Sequence, residues 1–191
     1  KLKMKSNIII GIVGTNGAGK GTVVEILQDF GFNHFSASDY INEVITARGM
    51  VINRDNQRLI ANQLRKGYSP DIIAISLLRK AVKKAPAVIE AWRCPGEVES
   101  LQKQGVYIIG VDAPKELRYK RIKSRGSEKD DISFEKFLEQ EAKESSGTTP
   151  WDMNIPKCIN MADHVFQNIH DKEHLQVDVS NYLKKISTPF G

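Results

Sequence analysis

A glycine-rich turn between an apolar run and a helical pattern constrains this chain more than any other feature. Residues 8–13 form a continuous apolar, β-branched run, typical of a strand buried on both faces of a sheet. Glycines in the turn allow backbone amides to wrap a phosphate at the positive end of the following helix. Lys20 supplies a mobile positive charge for the outer phosphates. The predicted phosphate-binding loop consists of Gly14, Thr15, Asn16, Gly17, Ala18, Gly19, Lys20, Gly21 and Thr22.

The loop predicts binding of a nucleoside triphosphate together with Mg²⁺. The alternative, a glycine-rich turn without a ligand, would need neither the strand before the loop nor the amphipathic helix after it, and both patterns are present. The loop departs from the strict pattern at one position, because Gly21 and not serine or threonine follows the lysine. The hydroxyl that would hold Mg²⁺ is therefore displaced to Thr22.

The Gly-Lys-Gly-Thr ending of the loop, residues 19–22, resembles the nucleoside monophosphate kinases, adenylate kinase above all. In that family magnesium is held largely through water. The resemblance implies ATP and Mg²⁺ as cofactors and a small-molecule nucleotide as the phosphoryl acceptor. It extends along nearly the whole chain in the order of elements, but only the loop motif is highly specific.

Composition limits which other classes of protein this chain could belong to. The 191 residues suffice for one domain with a proper core, and 40% hydrophobic and 27% charged residues are normal for a globular protein. The net charge of +5 comes without a dense basic run, so no nucleic-acid partner is expected. Cys94 and Cys158 lack metal-ligand spacing and suit a reducing compartment. No apolar run approaches the roughly 20 residues of a membrane helix. We therefore expect a cytoplasmic enzyme without a membrane partner, and no feature predicts an oligomeric state.

Strand-like runs alternate with helical patterns along the chain. This alternation predicts a three-layer α/β/α fold with a parallel, roughly five-stranded sheet, of the P-loop nucleotide-kinase type. We expect residues 1–191 to form one kinase domain, with ligands at the carboxyl ends of the strands. The strand-like runs are 8–13, 33–35, 87–91, 106–112 and 164–167. The helical patterns are 23–30, 39–47, 57–65, 71–82, 115–123, 133–144 and 174–183, and residues 145–156 are expected to be a loose stretch.

The segment after the second strand is a candidate acceptor site. Residues 35–42 are similar to the adenylate-kinase segment that opens the acceptor-nucleotide site, and Asp39 matches its aspartate. Asn42 stands where that family has an arginine on the acceptor phosphate, and Arg48, about two turns along the helix, is the candidate to replace it. Ser36 and Asp39 are thus predicted to bind substrate, although a plain helix cap fits the same residues as well.

The third strand ends in a second candidate segment. The family pattern is an apolar strand ending in Asp-Gly, followed by an aromatic residue and an arginine. Here Glu90 and Ala91 replace Asp-Gly, while Trp92 and Arg93 keep the aromatic residue and the arginine. Arg93 is suited to binding the acceptor phosphate, and Glu90 to orienting magnesium-bound water. The alternatives are a surface arginine paired with Glu97 and a carboxylate that caps a helix.

A third candidate segment follows the fourth strand. Arg121 and Arg125 are four positions apart, so they project from one face of a helix. The same arrangement marks the lid entrance in the nucleotide kinases, where arginines close over the transferring phosphoryl group. A solvated basic helix face is the alternative. The lid region would span about 121–159, with Gly126 and residues 127–131 as its hinge.

The lid departs most from adenylate kinase, because it has no four-cysteine zinc site and no clear β-ribbon. A charged helix at 133–144 looks more like the lids of dephospho-CoA kinase and of the thymidylate and cytidylate kinases. The last strand ends at Asn168, where these families place the backbone loop around adenine. We interpret residues 168–170 as the base-binding turn.

These features predict ATP-dependent phosphoryl transfer to a nucleotide-type acceptor, above all a nucleoside or deoxynucleoside monophosphate. The acceptor would bind the helical region at about 36–82. The predicted catalytic residues are Lys20, Arg93, Arg121 and Arg125.

Other functions stay open at this point. A dephospho-CoA kinase-like enzyme would phosphorylate a hydroxyl, with Asp39 as the base. A nucleotide-binding module without transfer activity fits Asn42 and the replacement of Asp-Gly by Glu90 and Ala91. An RNA-binding protein is supported only by the net charge.

Overall fold

The computed structural model describes residues 7–126 and 132–187. Its strands are β1 (Ile9–Gly14), β2 (Asn33–Ser36), β3 (Ala87–Trp92), β4 (Tyr107–Asp112) and β5 (His164–Gln167). They form a sheet in the order β2-β3-β1-β4-β5, and all four neighbouring pairs are parallel. This arrangement confirms the predicted α/β fold with a parallel five-stranded sheet.

Helices cover both faces of this sheet. Within the described residues they are α1 (Lys20–Asp29), α2 (Ala37–Ala47), α3 (Arg54–Gly67), α4 (Ile72–Val82), α5 (Pro95–Lys103), α6 (Lys115–Ser124), α7 (Phe134–Ser145), α8 (Ile155–Asn160) and α9 (Lys172–Ser187). Apolar side chains of α1 and α9 pack against one face, and those of α2, α3, α4, α5 and α8 pack against the other. The helices and the sheet therefore make the three predicted layers.

Strand β1 lies in the middle of the sheet. It pairs with β3 on one side and β4 on the other, and all six of its residues are buried. A strand covered by helices on both faces needs apolar side chains on both, which explains the continuous apolar run. The loop that follows β1 therefore lies at the centre of the sheet's carboxyl edge.

Two short helices differ from the sequence-based expectation. Helix α5 was not expected, and α8 begins at Ile155 inside the stretch 145–156 that we expected to be loose. Each has a proline in its first turn, and the Asn154 side chain accepts a hydrogen bond from the Lys157 backbone N–H at 3.1 Å. The six and nine residues of these helices are too few for a helical apolar period to be recognised.

Two further expectations concern the lid and the membrane. Of the predicted hinge, Gly126 has a φ of +64°, and residues 127–131 lie outside the described residues. Within the part of the chain that is described, no helix combines the length and the apolar character needed to cross a membrane.

Candidate active site

The carboxyl ends of the strands bring the predicted site residues to one edge of the sheet. Parallel strands all end at the same edge, so the segments that follow them lie side by side. The phosphate loop follows β1 at the centre of the edge. The other segments at this edge begin at Ser36 at the end of β2, Arg93 after β3, Asp112 at the end of β4 and Asn168 after β5.

The loop backbone has the shape of a phosphate cradle. Gly17 and Gly19 have φ angles of +78° and +102°, which side-chain-bearing residues rarely adopt. A Cβ atom on Gly19 would lie 2.2 Å from Nδ2 of Asn168. Helix α1 starts directly after Gly19, without a side-chain cap and without an acidic residue in its first turn. Its first N–H groups and its positive end are therefore directed at the space that a phosphate would occupy.

Asn168 supports the loop from the neighbouring strand. Its side chain is 7% exposed and donates from Nδ2 to the Ala18 carbonyl at 2.8 Å. Its backbone N–H donates to the Asp112 carbonyl at 2.8 Å, and its own carbonyl accepts from Nη1 of Arg121 at 2.9 Å. Asn168 thus joins the end of β5, the loop and helix α6.

Lys20 lies in the phosphate loop, at the first position of helix α1. Its ammonium donates to the carbonyls of Gly14 and Thr15, each at 2.8 Å. Burial lowers the pKa of Lys20 to about 8, and the positive charge of Arg93 acts in the same direction. A buried ammonium ion gains more from an added anion than a solvated one does. The surroundings of Lys20 therefore favour a phosphate group.

Two of the predicted arginines, Arg93 and Arg125, act on Lys20 through their charge. Arg93 and Arg125 both lower the pKa of Lys20 by their charge, whereas Glu90 and Glu144 raise it. Arg93 donates from Nη1 to Oε1 of Glu144, on α7, at 3.1 Å. Burial lowers the pKa of Arg121, and the nearby positive charge of Arg125 lowers it further. The edge of the sheet thus gathers four cationic side chains around the loop.

The donor set fits Mg²⁺, a hard cation that prefers oxygen ligands. Thr22 places a hydroxyl in the first turn of α1. Glu90 lies on β3, next to β1, and its Oε1 is 3.0 Å from Nε2 of His34. That hydrogen bond raises the pKa of His34. Among the described residues, no group of three histidine, cysteine, aspartate or glutamate side chains could hold a metal ion.

The predicted acceptor residues are spread over helix α2. Ser36 caps the helix, and its Oγ accepts from the Asp39 N–H at 3.0 Å. Asp39 is exposed in the first turn, close to the sheet edge. Arg48 lies at the other end of the helix, about 14 Å further along its axis, and donates to Oε1 of Gln63 at 2.7 Å. Asn42 accepts from Nε2 of Gln57 at 2.8 Å. The structure therefore does not bring Arg48 together with Asp39.

Sequence reasoning missed three charged residues near the loop. Arg118 on α6 is 3% exposed and pairs with Glu141 on α7, and Glu144 on α7 pairs with Arg93. The partners are 23 and 51 positions apart in the sequence. A cavity of about 440 Å³ lies beside them, and Thr15, Arg118, Glu141 and Glu144 are among its lining residues. The clustering of arginines in α6 was visible in the sequence, but the burial of one of them was not.

A family model matches most of the chain. The model described as an AAA domain matches residues 10–146, a range that runs from β1 to the end of α7. The chain belongs to this family. The match includes the phosphate loop, Arg93 and the two arginines of the predicted lid entrance, so the family pattern and the candidate site lie in the same part of the chain.

Relatives match along almost the full length. The chain is 28% identical to a UPF0200 protein from Thermococcus gammatolerans, over 94% of this chain and 95% of that protein. It is 27% identical to a UPF0200 protein from Pyrococcus abyssi, over 94% of this chain and 97% of that protein.

Solved structures show the same fold. A shikimate kinase from Acinetobacter baumannii, in complex with shikimate, aligns with a TM-score of 0.62 at 15% identity, covering 95% of this chain and 96% of that one. A gluconokinase from Sinorhizobium meliloti aligns with a TM-score of 0.57 at 12% identity, covering 96% and 95%. The chain has a kinase-like P-loop fold. The closer resemblance to adenylate kinase stays a prediction.

Proposed function

We propose that the chain transfers the terminal phosphoryl group of ATP to a nucleotide-type acceptor, above all a nucleoside or deoxynucleoside monophosphate. The observation that carries this proposal is the position of Lys20, partly buried in a glycine cradle and within the electrostatic reach of Arg93 and Arg125. Phosphoryl transfer needs positioning and charge neutralisation more than covalent help from the protein. A loop that binds phosphates, surrounded by arginines, provides both.

Each residue has a separate role in this proposal. The amide groups of the loop and the Lys20 ammonium bind the phosphates of ATP. Arg93, with its fork of N–H donors, binds the phosphate of the acceptor. Arg121 and Arg125 approach from α6 and neutralise the charge that develops on the phosphoryl oxygens. Mg²⁺, held through water by Thr22 and Glu90, would supply further neutralisation of phosphate charge when bound.

The acceptor side supports a ligand with both a phosphate and a polar ring or sugar. Arg93 lies at the sheet edge for the phosphate, and Asp39 lies at the start of α2. Arg48 and Gln63 lie further from the loop, where α2 meets α3. In this proposal the phosphate of a nucleotide binds Arg93, and its sugar and base extend toward helices α2 and α3.

A second candidate is transfer to a hydroxyl group. Asp39 is an exposed carboxylate in the first turn of α2, which follows β2 at the sheet edge, and a carboxylate can accept the proton of an attacking hydroxyl. The fold likeness to a shikimate kinase and a gluconokinase favours the inclusion of small hydroxyl-bearing acceptors. Dephospho-CoA belongs to the same test.

A third candidate is a nucleotide-binding module without transfer activity. Its specific support is that Arg93 already has a carboxylate partner in Glu144 and that Asn42 pairs with Gln57. Such a module would bind ATP and transfer nothing.

The test is ADP release by the purified protein with ATP·Mg²⁺ and a panel of acceptors. The panel holds AMP, CMP, UMP, GMP, the deoxynucleotides, dephospho-CoA, shikimate and gluconate, and Lys20→Ala is the blank. Release that depends on one nucleotide and is lost in the variant supports the proposal and names its substrate. Dependence on a hydroxyl acceptor supports the second candidate. ATP binding without acceptor-dependent release contradicts transfer to these acceptors and favours the module.

A further inference from the structure

Arg118 is buried in a place where a charge is costly. The residue lies on α6, one turn before Arg121, and is 3% exposed. Burying a guanidinium requires that its donors find acceptors. Its Nε donates to the Ala113 carbonyl at 2.8 Å, and Nη1 donates to the Asn16 carbonyl at 3.3 Å. Nη1 and Nη2 also contact the two carboxylate oxygens of Glu141, with Nη2 and Oε2 3.0 Å apart.

The contact with Asn16 lies in the phosphate loop itself. The next residue, Gly17, has a φ of +78°, and a Cβ atom there would lie 2.6 Å from the Arg118 carbonyl oxygen. Arg118 therefore touches the loop twice, with its backbone at Gly17 and with its guanidinium at Asn16. The Asn16–Gly17 corner of the loop therefore lies against the backbone of α6 and accepts a hydrogen bond from the Arg118 side chain.

Helix α7 holds the guanidinium from the other side. Glu141 forms the two-pronged ion pair, and the ring of Phe137 lies 5.4 Å from the Arg118 Cζ atom. One turn further along α7, Glu144 pairs with Arg93. Helix α7 thus contacts both Arg118, which touches the phosphate loop, and Arg93, the proposed ligand of the acceptor phosphate.

A buried ion pair alone would show only that α6 and α7 are joined. The additional hydrogen bond to the Asn16 carbonyl distinguishes this pair, because it connects the pair to the backbone that binds phosphates. We propose that Arg118 is a positioning residue for ATP: held in place by Glu141, it fixes the Asn16–Gly17 corner of the phosphate loop. The inference depends on ATP binding by the loop, and depends on the proposed phosphoryl transfer only for the effect on rate.

The test compares ATP affinity in matched variants of the whole chain. Arg118→Lys keeps the charge but loses the fork of donors, and Glu141→Gln loses the charge that orients the fork. Glu97→Gln is the control, because Glu97 is a buried carboxylate that pairs with Arg65 at 3.2 Å, without a contact to the loop among those described. Thermal unfolding of each variant measures its loss of stability, and titration calorimetry with ATP·Mg²⁺ measures the affinity.

We expect Arg118→Lys and Glu141→Gln to weaken ATP binding by about 10-fold or more, as the loss of groups that orient direct ligands commonly does. Glu97→Gln should lose comparable stability and bind ATP as the unmodified chain does. If transfer activity is found, kcat should fall in the first two variants while the KM for the acceptor stays unchanged. Equal ATP affinity in all three variants overturns the inference, and Glu141→Gln decides the matter if Arg118→Lys does not fold. Absence of transfer activity contradicts the proposed function alone, since the affinity comparison does not require it.

Discussion

The two sides of the candidate active site are built differently. On the phosphate-loop side, Asn168 and Arg118 are 7% and 3% exposed, and each donates to a loop carbonyl. On the acceptor side, the Arg93 side chain is 54% exposed, and Asp39 and Arg48 are exposed as well. Phosphate binding by backbone amides requires one fixed loop geometry before the ligand arrives. Exposed side chains can instead exchange a protein partner for a ligand.

The two ion pairs that arginines form with glutamates of α7 show the same difference. The side chains of Arg118 and Glu141 are 4% and 15% exposed, so removal of either leaves a largely desolvated charge without its partner. Arg93 and Glu144 are in contact with solvent, and such pairs contribute little to stability because water screens both charges. One pair is suited to hold the site together, and the other is suited to open when an anion binds.

The largest effect is expected from Arg118→Met. The free energy of unfolding should fall by about 3–5 kcal/mol, because Glu141 stays buried without its partner. Urea unfolding measures the loss. The double variant Arg118→Met/Glu141→Leu should regain most of the stability, since it removes both charges, but not the ATP affinity. Normal ATP affinity in the double variant would break the comparison, because the loop would then be independent of the pair.

A methyl group in the loop should have the next largest effect. Gly19→Ala would force a φ of +102° on alanine and bring its Cβ to 2.2 Å from Asn168, so we expect a loss of about 1–3 kcal/mol and weaker ATP binding. Gly21→Ala is the matched control, because a Cβ there meets no atom within 4 Å. In the first turn of α1, alanine should leave stability unchanged or raise it by about 0.4–1 kcal/mol. Equal losses in the two variants would contradict the described loop shape.

The lowered pKa of Lys20 predicts a pH dependence of ATP binding. With a pKa of about 8, Lys20 is charged below that pH and loses its proton above it, so ATP affinity should fall as the pH rises from about 7 to 9.5. The pKa of Lys20 in the folded state lies below the ordinary value of 10.5, so between about pH 8 and 10.5 the unfolded chain holds this proton more tightly. The free energy of unfolding should therefore rise with pH across this interval. Calorimetric titrations across this range measure the affinity. Lys20→Arg stays charged, and its affinity should be independent of pH; a parallel decline would assign the effect to another group.

The smallest effect on stability is expected on the acceptor side. Glu144→Gln should change the free energy of unfolding by less than about 1 kcal/mol. It releases Arg93, so the KM for an anionic acceptor should fall by more than the KM for ATP. Glu139→Gln is the control on the same helix, because Glu139 pairs with Lys136 at the surface. A large loss of stability in Glu144→Gln would remove the distinction between the two pairs.

Local patterns in the sequence were sufficient for the fold and for the loop. The strand before the loop, the glycines and Lys20 are consecutive, and their conformations follow from residue type alone. Strand β5 has the predicted bounds, and helix α7 begins next to the predicted start at 133, where the Ser133 Oγ accepts from the Lys136 N–H at 3.2 Å. The sheet follows from the alternation of strands and helices.

Contacts between distant segments could not be predicted in this way. The spacing of Arg121 and Arg125 places them on one face of α6, but it gives no sign that Arg118, on the same helix, is the buried arginine. Its partner Glu141 lies beyond residues 127–131, in another helix. Arg48 has the spacing to replace a missing arginine, but only the folded structure shows that it contacts Gln63.

The proposed reaction transfers the γ-phosphoryl group of ATP to an acceptor. The most direct measurement incubates the protein with ATP labelled at the γ-phosphate and with each acceptor in turn, and then separates ATP, acceptor and inorganic phosphate. Phosphoryl transfer predicts label in one acceptor, and its loss in Arg93→Gln and Lys20→Ala. Label that stays in ATP, or that appears only as inorganic phosphate with every acceptor, would contradict a kinase function.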